Sequence, residues 1–352
     1  MIICEVKNLP HEIKMRKVSV KIMYNGSRYS RTFVILGVVL LVAGALLAVA
    51  NFADFGFSKA FSFDWNFGGA NSENSIDQEK TMSISRIETI SIVTVSDNIN
   101  LIAVDSDEVR AHYHGSFSTT SSDYKPELVV EKSGSQLKIK INVKPNITHF
   151  SFSSDLKLDV YIPRQFDEDL EISSTSGEVN VETLNVDEFE YLNISGDLNA
   201  NRIEAEEISV NTTSGETKIS GEFDRFKFTT ISGNLISDDF KAKESTLNTT
   251  SGEIKLSGQP GDVSSKAISG NLNLNYSDFD NTIEANSASG KVEILLPEDA
   301  GFKLDYKTAS GDVRCDFEVP GSQGEHNLKG TVGDGDGSIN VQTISGNLTI
   351  KN

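Results

Sequence analysis

The chain is short of cysteine, proline, tryptophan and histidine, and short of basic side chains relative to acidic ones. It has 352 residues, with two Cys, seven Pro, one Trp and five His. Two cysteines exclude a disulfide scaffold and a multi-cysteine zinc module. Lys plus Arg is 32 against 51 Asp plus Glu, a formal net charge of −19. That is the wrong sign for a nucleic-acid binder, so no nucleic-acid partner is expected. With 38% hydrophobic and 24% charged residues, the chain is neither disordered nor a multi-span membrane protein. What it has in quantity is glycine, 27 residues, which together with abundant Ser, Thr and Asn suits short strands and tight turns.

One stretch lacks charge altogether. Phe33 to Ala50 reads FVILGVVLLVAGALLAVA. About 20 helical residues cross the ~30 Å hydrocarbon core of a bilayer, and this run is apolar on every face, unlike an amphipathic core helix. The sequence therefore predicts a transmembrane signal anchor over 32–52. Residues 1–31 hold seven basic and two acidic residues and form a basic leader that stays in the cytoplasm. The acidic bulk of the chain then lies outside the cell, single-pass. A second reading stands open: Ala48-Val49-Ala50 has the form of a signal-peptidase site, and cleavage there would make the protein secreted. Residues 53–80 read as an aromatic juxtamembrane segment and linker. Phe52 to Phe67 is either an interfacial belt or a half-buried strand, and Gly68 to Lys80 is a polar linker.

The second half is a repeat. Ser-Gly recurs nine times, as TSGEV, ISGDL, TSGET, ISGNL, TSGEI, ISGNL, ASGKV, ASGDV and ISGNL. The turn glycines are Gly177, Gly196, Gly215, Gly233, Gly252, Gly270, Gly290, Gly311 and Gly346, spaced 19, 19, 18, 19, 18, 20, 21 and 35 residues apart. Between copies the chain alternates at period two with Val, Ile, Thr and Phe, the signature of strand, and no window has helical length and spacing. Glycine supplies the conformational freedom that a sharp corner needs. Stacked units bury what one unit cannot. The predicted fold is all-β, a parallel β-solenoid of about 19-residue coils with Ser-Gly corners. Thr and Ile alternate before Ser-Gly, and Glu alternates with Asp or Asn after it, so a 38-residue period also remains open. Carboxylates stacked ~4.8 Å apart repel by roughly 0.9 kcal/mol in water, which fits a solvated edge better than a metal ladder.

Residues 81–165 alternate too and read as an N-terminal cap with the first coils, including a hairpin about Lys132-Ser133-Gly134-Ser135. Residues 166–352 are the repeat solenoid. Phe317 to Gly337 breaks the period as an exit cap, followed by a last coil at Ile339 to Ile350. The basic N-terminus, single span, "VYIP" and "ILLP" segments (Val160–Pro163 and Ile294–Pro297) and serial Ser-Gly-Asp/Glu turns resemble the bacterial "putative adhesin" family of β-strand-repeat surface proteins. The resemblance covers roughly residues 80–352. It implies a membrane-anchored extracellular solenoid, carries no catalytic residues and supplies no ligand.

Individual residues offer few sites. His112 and His114 share a strand face and could seed a metal site with Asp105 or Asp107, though two histidines alone make a weak site. Asp334 and Asp336 lie in a single Gly-Asp run, Gly333 to Gly337, where calcium-binding β-rolls use several; a turn is the simpler reading, with calcium as the alternative cofactor and otherwise none. Several Asn-x-Ser/Thr matches sit just before corners, where side-chain hydrogen bonding at the turn accounts for them. Cys315 reads as a buried, inert thiol. His149 and His326 stand without a nucleophile beside them. The protein is expected to be no enzyme: it is a membrane-anchored surface protein for adhesion or envelope sensing, with a cell-wall polymer or another envelope protein as partner. The alternatives are an accessory subunit acting through its leader and span, where Gly44 and Ala48 form a small-xxx-small pair, and a polysaccharide-active β-helix enzyme.

Overall fold

Period-two sequence becomes strand wherever the structure is described. The computed structural model describes residues 72–119, 125–143, 152–324 and 326–352, and among these there are twenty-four strands and no α-helix. The N-terminal part holds β1 (Ser72–Ser83), β2 (Thr89–Val93), β3 (Asn98–Val104), β4 (Glu108–Thr119), β5 (Glu127–Ser133), β6 (Gln136–Asn142) and β7 (Phe152–Pro163). The repeats hold β8 (Asp169–Ser174), β9 (Val179–Val181), β10 (Leu184–Asn193), β11 (Leu198–Thr212), β12 (Glu216–Thr230), β13 (Asn234–Thr249), β14 (Glu253–Gln259), β15 (Asp262–Ala267), β16 (Asn271–Tyr276), β17 (Thr282–Ser287) and β18 (Val292–Leu295). The C-terminal part holds β19 (Phe302–Lys307), β20 (Val313–Cys315), β21 (Gly321–Gly324), β22 (Asn327–Val332), β23 (Gly337–Thr343) and β24 (Leu348–Lys351).

Two parallel faces meet at the Ser-Gly corners. The face before the corner stacks β2, β8, β10, β11, β12, β13, β15, β17, β23 and β19. The face after it stacks β3, β9, β11, β12, β13, β14, β16, β18, β24 and β20. In β11 and β12 Leu198 lies against Thr217 and Ile203 against Gly221. One coil is therefore one 19-residue unit with one corner, and a wide 38-residue coil is excluded. Alternate residues point inward, as with Leu272, Leu274 and Tyr276 of β16. Phe223, Phe226 and Phe240 fill the middle of the core, Phe240 standing edge-on to the other two at 5.3 and 5.0 Å. Such aromatic pairs add to the area they bury.

Both ends depart from chain order. After the first coil, β2 and β3, the chain leaves as β4 to β7. It forms the antiparallel sheet β1–β4–β7 and the hairpin β5–β6, then returns to start the second coil on the opposite side of the first. The hairpin turn falls at Gly134, as expected. β1 begins at Ser72, so the end of the stretch read as polar linker is strand, paired along its whole length with β4. At the other end β21 and β22 form an antiparallel exit cap against β19. The coil at Ile339 to Ile350 is last in sequence but not in space, which corrects the expectation. β23 lies between β17 and β19, and β24 between β18 and β20, so the outermost coil is 302–315. The leader, the span at 32–52 and the aromatic segment up to Phe67 lie outside the described residues. Among the described residues no helix is long and apolar enough to cross a membrane.

An interposed coil makes the C-terminus indispensable. Ile339, Val341, Leu348 and Ile350 are each no more than 1% exposed, and burial at about 1.5–3 kcal/mol per side chain puts their joint loss at ~6–12 kcal/mol, the size of a typical domain's whole stability. Residues 72–336 are expected to show no cooperative urea transition, whereas 72–352 show one. An unchanged midpoint in the shorter fragment would refute the interposed coil.

Candidate functional site

The Ser-Gly corner is the first candidate, because its polar residues repeat in every coil. The corner serine hydroxyls from Ser176 to Ser269 are used internally. Ser214 Oγ donates to the Ile194 carbonyl at 3.3 Å, Ser232 to Thr213 at 3.3 Å and Ser251 to Ile231 at 3.3 Å. A residue three before the glycine is buried and caps the turn: Thr230 Oγ1 accepts from the Gly233 N–H at 2.7 Å, and Thr249 Oγ1 from Gly252 at 2.8 Å. Asn193, one of the sequon asparagines, caps Gly196 in the same way, which matches the turn reading.

The residue after the glycine explains the alternation. Asn98, Asp197, Asn234, Asn271 and Asn347 each accept, through Oδ1, the backbone N–H of Glu178, Glu216, Glu253, Lys291 and Asp312 at 2.7–3.0 Å. A short Asx side chain bonds up to the next coil, where the residue is long (Glu or Lys) in four of the five cases and Asp312 in the fifth. The two kinds of coil are thus a hydrogen-bonding pair.

The glycines stack. A Cβ on any of the nine would lie less than 3.0 Å from the carbonyl oxygen of the preceding corner, for example 2.8 Å from Gly215 at Gly233 and 2.5 Å from Gly252 at Gly270. Of the nine, Gly177 and Gly215 take positive φ, 105° and 108°; at the rest the requirement is space. The column begins at Asp97, whose carbonyl lies under Gly177. Among the described residues no Ser-Gly corner lies beneath it, and Val95-Ser96-Asp97-Asn98 is a tenth corner without the Ser-Gly pair. Asp97 is buried and accepts from Tyr113 Oη of β4 at 2.9 Å. Burial pushes its carboxyl above the ordinary value, against the pull of that bond.

The second candidate is the histidine pair of β4. Strand pairing sets His112 opposite Asp159 and His114 opposite Asp77, yet the contacts run diagonally. His112 Nε2 lies 2.7 Å from Asp77 Oδ1, and His114 Nε2 lies 2.9 Å from Asp159 Oδ2. The two rings stack at 4.4 Å. One donor atom from each of His112, His114 and Asp159 falls within 4.8 Å of the others. Asn100 Nδ2 donates to Asp159 Oδ1 at 2.7 Å. Burial raises the Asp159 carboxyl, but the bonds from Asn100 and His114 and the nearby histidine charges outweigh it and hold it below the ordinary range. The acids expected beside the histidines are elsewhere: Asp105 pairs with Arg164 at 3.3 Å and Asp107 accepts from Gln165 at 2.7 Å. The register of three strands brings in Asp77 and Asp159, and a single sequence does not display it.

The remaining candidates stay apart. Asp334 and Asp336 are exposed on the turn between β22 and β23, with Gly333 and Gly335 at positive φ and the Asp336 N–H 3.4 Å from Asp334 Oδ1. Cys315 is half-buried on β20, and burial pushes its thiol up, away from the reactive thiolate. His326 is exposed, and His149 and Cys4 lie outside the described residues. A cleft of about 60 Å³ beside Leu101, Pro163 and Leu184 has room for a water or two.

The family model described as Toastrack DUF4097 matches residues 87–351. No curated protein matches the chain. Among solved structures, a "putative adhesin" from Bacteroides fragilis is similar at 10% identity and TM-score 0.42, covering 79% of this chain and 98% of its own. A "putative cell adhesion protein" from Clostridium sporogenes is similar at 13% identity and TM-score 0.20, covering 79% and 99%. A "putative lipid binding protein" from Parabacteroides distasonis is similar at 16% identity and TM-score 0.40, covering 78% and 97%. At these identities and scores the likenesses carry no ligand or activity across to this chain.

Two measurements test the corner. Gly252→Ala is expected to cost ~2–3 kcal/mol, as overpacking does, while Ser251→Ala, which loses one exposed hydrogen bond, costs about 1 kcal/mol or less; urea midpoints compare them. Asp97 has a raised carboxyl, so its folded form holds a proton more tightly than its unfolded form, and its ionisation destabilises the fold as pH rises. Asp97→Asn, which keeps the acceptor for Tyr113, should therefore be more stable than the wild type at pH 7. The gap should shrink as pH falls toward the ordinary carboxylate value of 3.8. A gap that widened on acidification would contradict the burial account.

Proposed function

The chain belongs to the Toastrack DUF4097 family, and from that premise we propose that it is a non-catalytic, membrane-anchored surface protein. Its solenoid acts outside the cell in adhesion or envelope sensing. The uncharged Phe33–Ala50 run and its basic flank support the anchor.

The observation that carries the reading is an outward row with one residue per coil on the face after the corner. It runs from Asn100 through Asn180, Asn199, Lys218, Ile236, Lys255, Asn273, Glu293 and Thr349 to Arg314. Parallel stacking places these positions ~4.8 Å apart. A repetitive ligand such as a wall polymer meets one such position per coil, so weak contacts add as avidity. The net charge of −19 favours a neutral or cation-bearing partner over a polyanion.

Residues 72–352 are expected to co-sediment saturably with purified cell walls, and replacing Asn180, Asn199 and Asn273 together with Ala should weaken the binding more than any single replacement. Absence of sedimentation would overturn the adhesion reading and move the function to a membrane partner of residues 1–52.

A further inference from the structure

We propose that His112, His114 and Asp159 bind a divalent first-row transition ion of the zinc, copper and nickel group. The proposal goes beyond surface adhesion and does not depend on it. It rests on convergence: three strands, β1, β4 and β7, deliver two imidazoles and two carboxylates to one patch on one side of the N-terminal cap. Two imidazole nitrogens with one carboxylate suit a borderline ion, whereas calcium and magnesium take oxygen ligands. Ligands about 2.0–2.2 Å from zinc sit roughly 3.3–3.5 Å from one another in a tetrahedron. The three donor atoms already lie within 4.8 Å, so side-chain rotation closes the site without moving a strand. Asp77, bonded to His112, adds a second negative charge at the rim.

The ligands are also supported from behind. A binding carboxylate works best when its other oxygen is held. Asn100 does this for Asp159, leaving Oδ2 turned toward His114. Asn100 is tied in turn to the coils: Asn180 Nδ2 donates to Asn100 Oδ1 at 3.3 Å and Asn199 Nδ2 to Asn180 Oδ1 at 3.1 Å. The site is open to solvent, with the His112 and His114 side chains 26% and 33% exposed, so an ion has a path in.

The test uses the full-length chain without a polyhistidine tag, purified in detergent and titrated with zinc chloride by calorimetry. One equivalent should bind. His112→Gln, His114→Gln and Asp159→Asn should each weaken binding at least tenfold, and Asn100→Ala by about tenfold; Asp105→Asn should leave it unchanged. With Cu²⁺ in place of Zn²⁺, electron paramagnetic resonance of the wild type should show coupling to two imidazole nitrogens, a readout that needs no variant to fold. Absence of saturable zinc binding, binding that survives both histidine changes, or displacement of zinc by millimolar calcium would each overturn the site.

Discussion

The structure depends on how closely one backbone can approach another at the corner. Each Ser-Gly glycine sits over the carbonyl oxygen of the corner before it, in a gap that no Cβ fits. That contact sets the register of every coil. With the corners in register, the faces on either side are in register too, and inward positions fall on inward positions from β2 and β3 outward. The surrounding bonds repeat the same constraint in polar form. Serine reaches back one coil to a carbonyl, Asx reaches forward one coil to an N–H, and the buried Thr, Ser or Asn closes the turn from inside.

A column held this way needs defined ends, and the two ends meet the need differently. At the start, where no Ser-Gly corner lies beneath among the described residues, Asp97 stands in the glycine's place and the Tyr113 hydroxyl of the cap reaches its carboxylate. At the far end the chain turns back and inserts its own last coil, so that Gly346 stacks on Gly290 and Gly311 on Gly346. The outermost coil is then covered on one face by β22. Both ends also cover strand edges that would otherwise template further pairing, with β6 and β7 against β2 and β3 and β22 against β19. Both also tie residues distant in sequence, so the stack cannot be completed by adding coils in chain order.

This division explains what was legible in the sequence. Corner spacing and period-two alternation report contacts between one coil and the next, which lie about 19 residues apart and recur, so the all-β solenoid is legible in the sequence, while the choice between a 19- and a 38-residue coil rests on the register of β11 against β12. The alternation of Glu178 with Asp197 shows in the sequence, whereas its cause, the Asx bond between coils, shows only in the structure. The caps were partly legible: the hairpin at Gly134 has a local signal. The order of the last coils does not, because nothing local to Ile339 or Phe302 says which stacks on β17. The corner at Asp97 was hidden by its single difference from the others. The histidine site was half visible for the same reason: His112 and His114 share a strand, whereas Asp77 and Asp159 reach them through pairings that one sequence does not encode locally.

Parallel and antiparallel pairing also divide the chemistry between the two parts of the molecule. In-register parallel coils set like positions over like positions, giving rows such as Asn100, Asn180 and Asn199. A row offers repetition, and repetition suits an extended partner. It lines residues up one per coil, so neighbours above and below meet in pairs, as Arg225 and Glu207 do, rather than converging several at a point. The antiparallel cap has no such translational rule. Its diagonal neighbours come from unrelated stretches of chain, which is how two imidazoles and two carboxylates can converge across β1, β4 and β7. A small-ion site therefore belongs on the cap and a polymer-binding row on the coils. The Asn100 amide, bonded both to Asp159 and to the coil asparagines, is the joint between them.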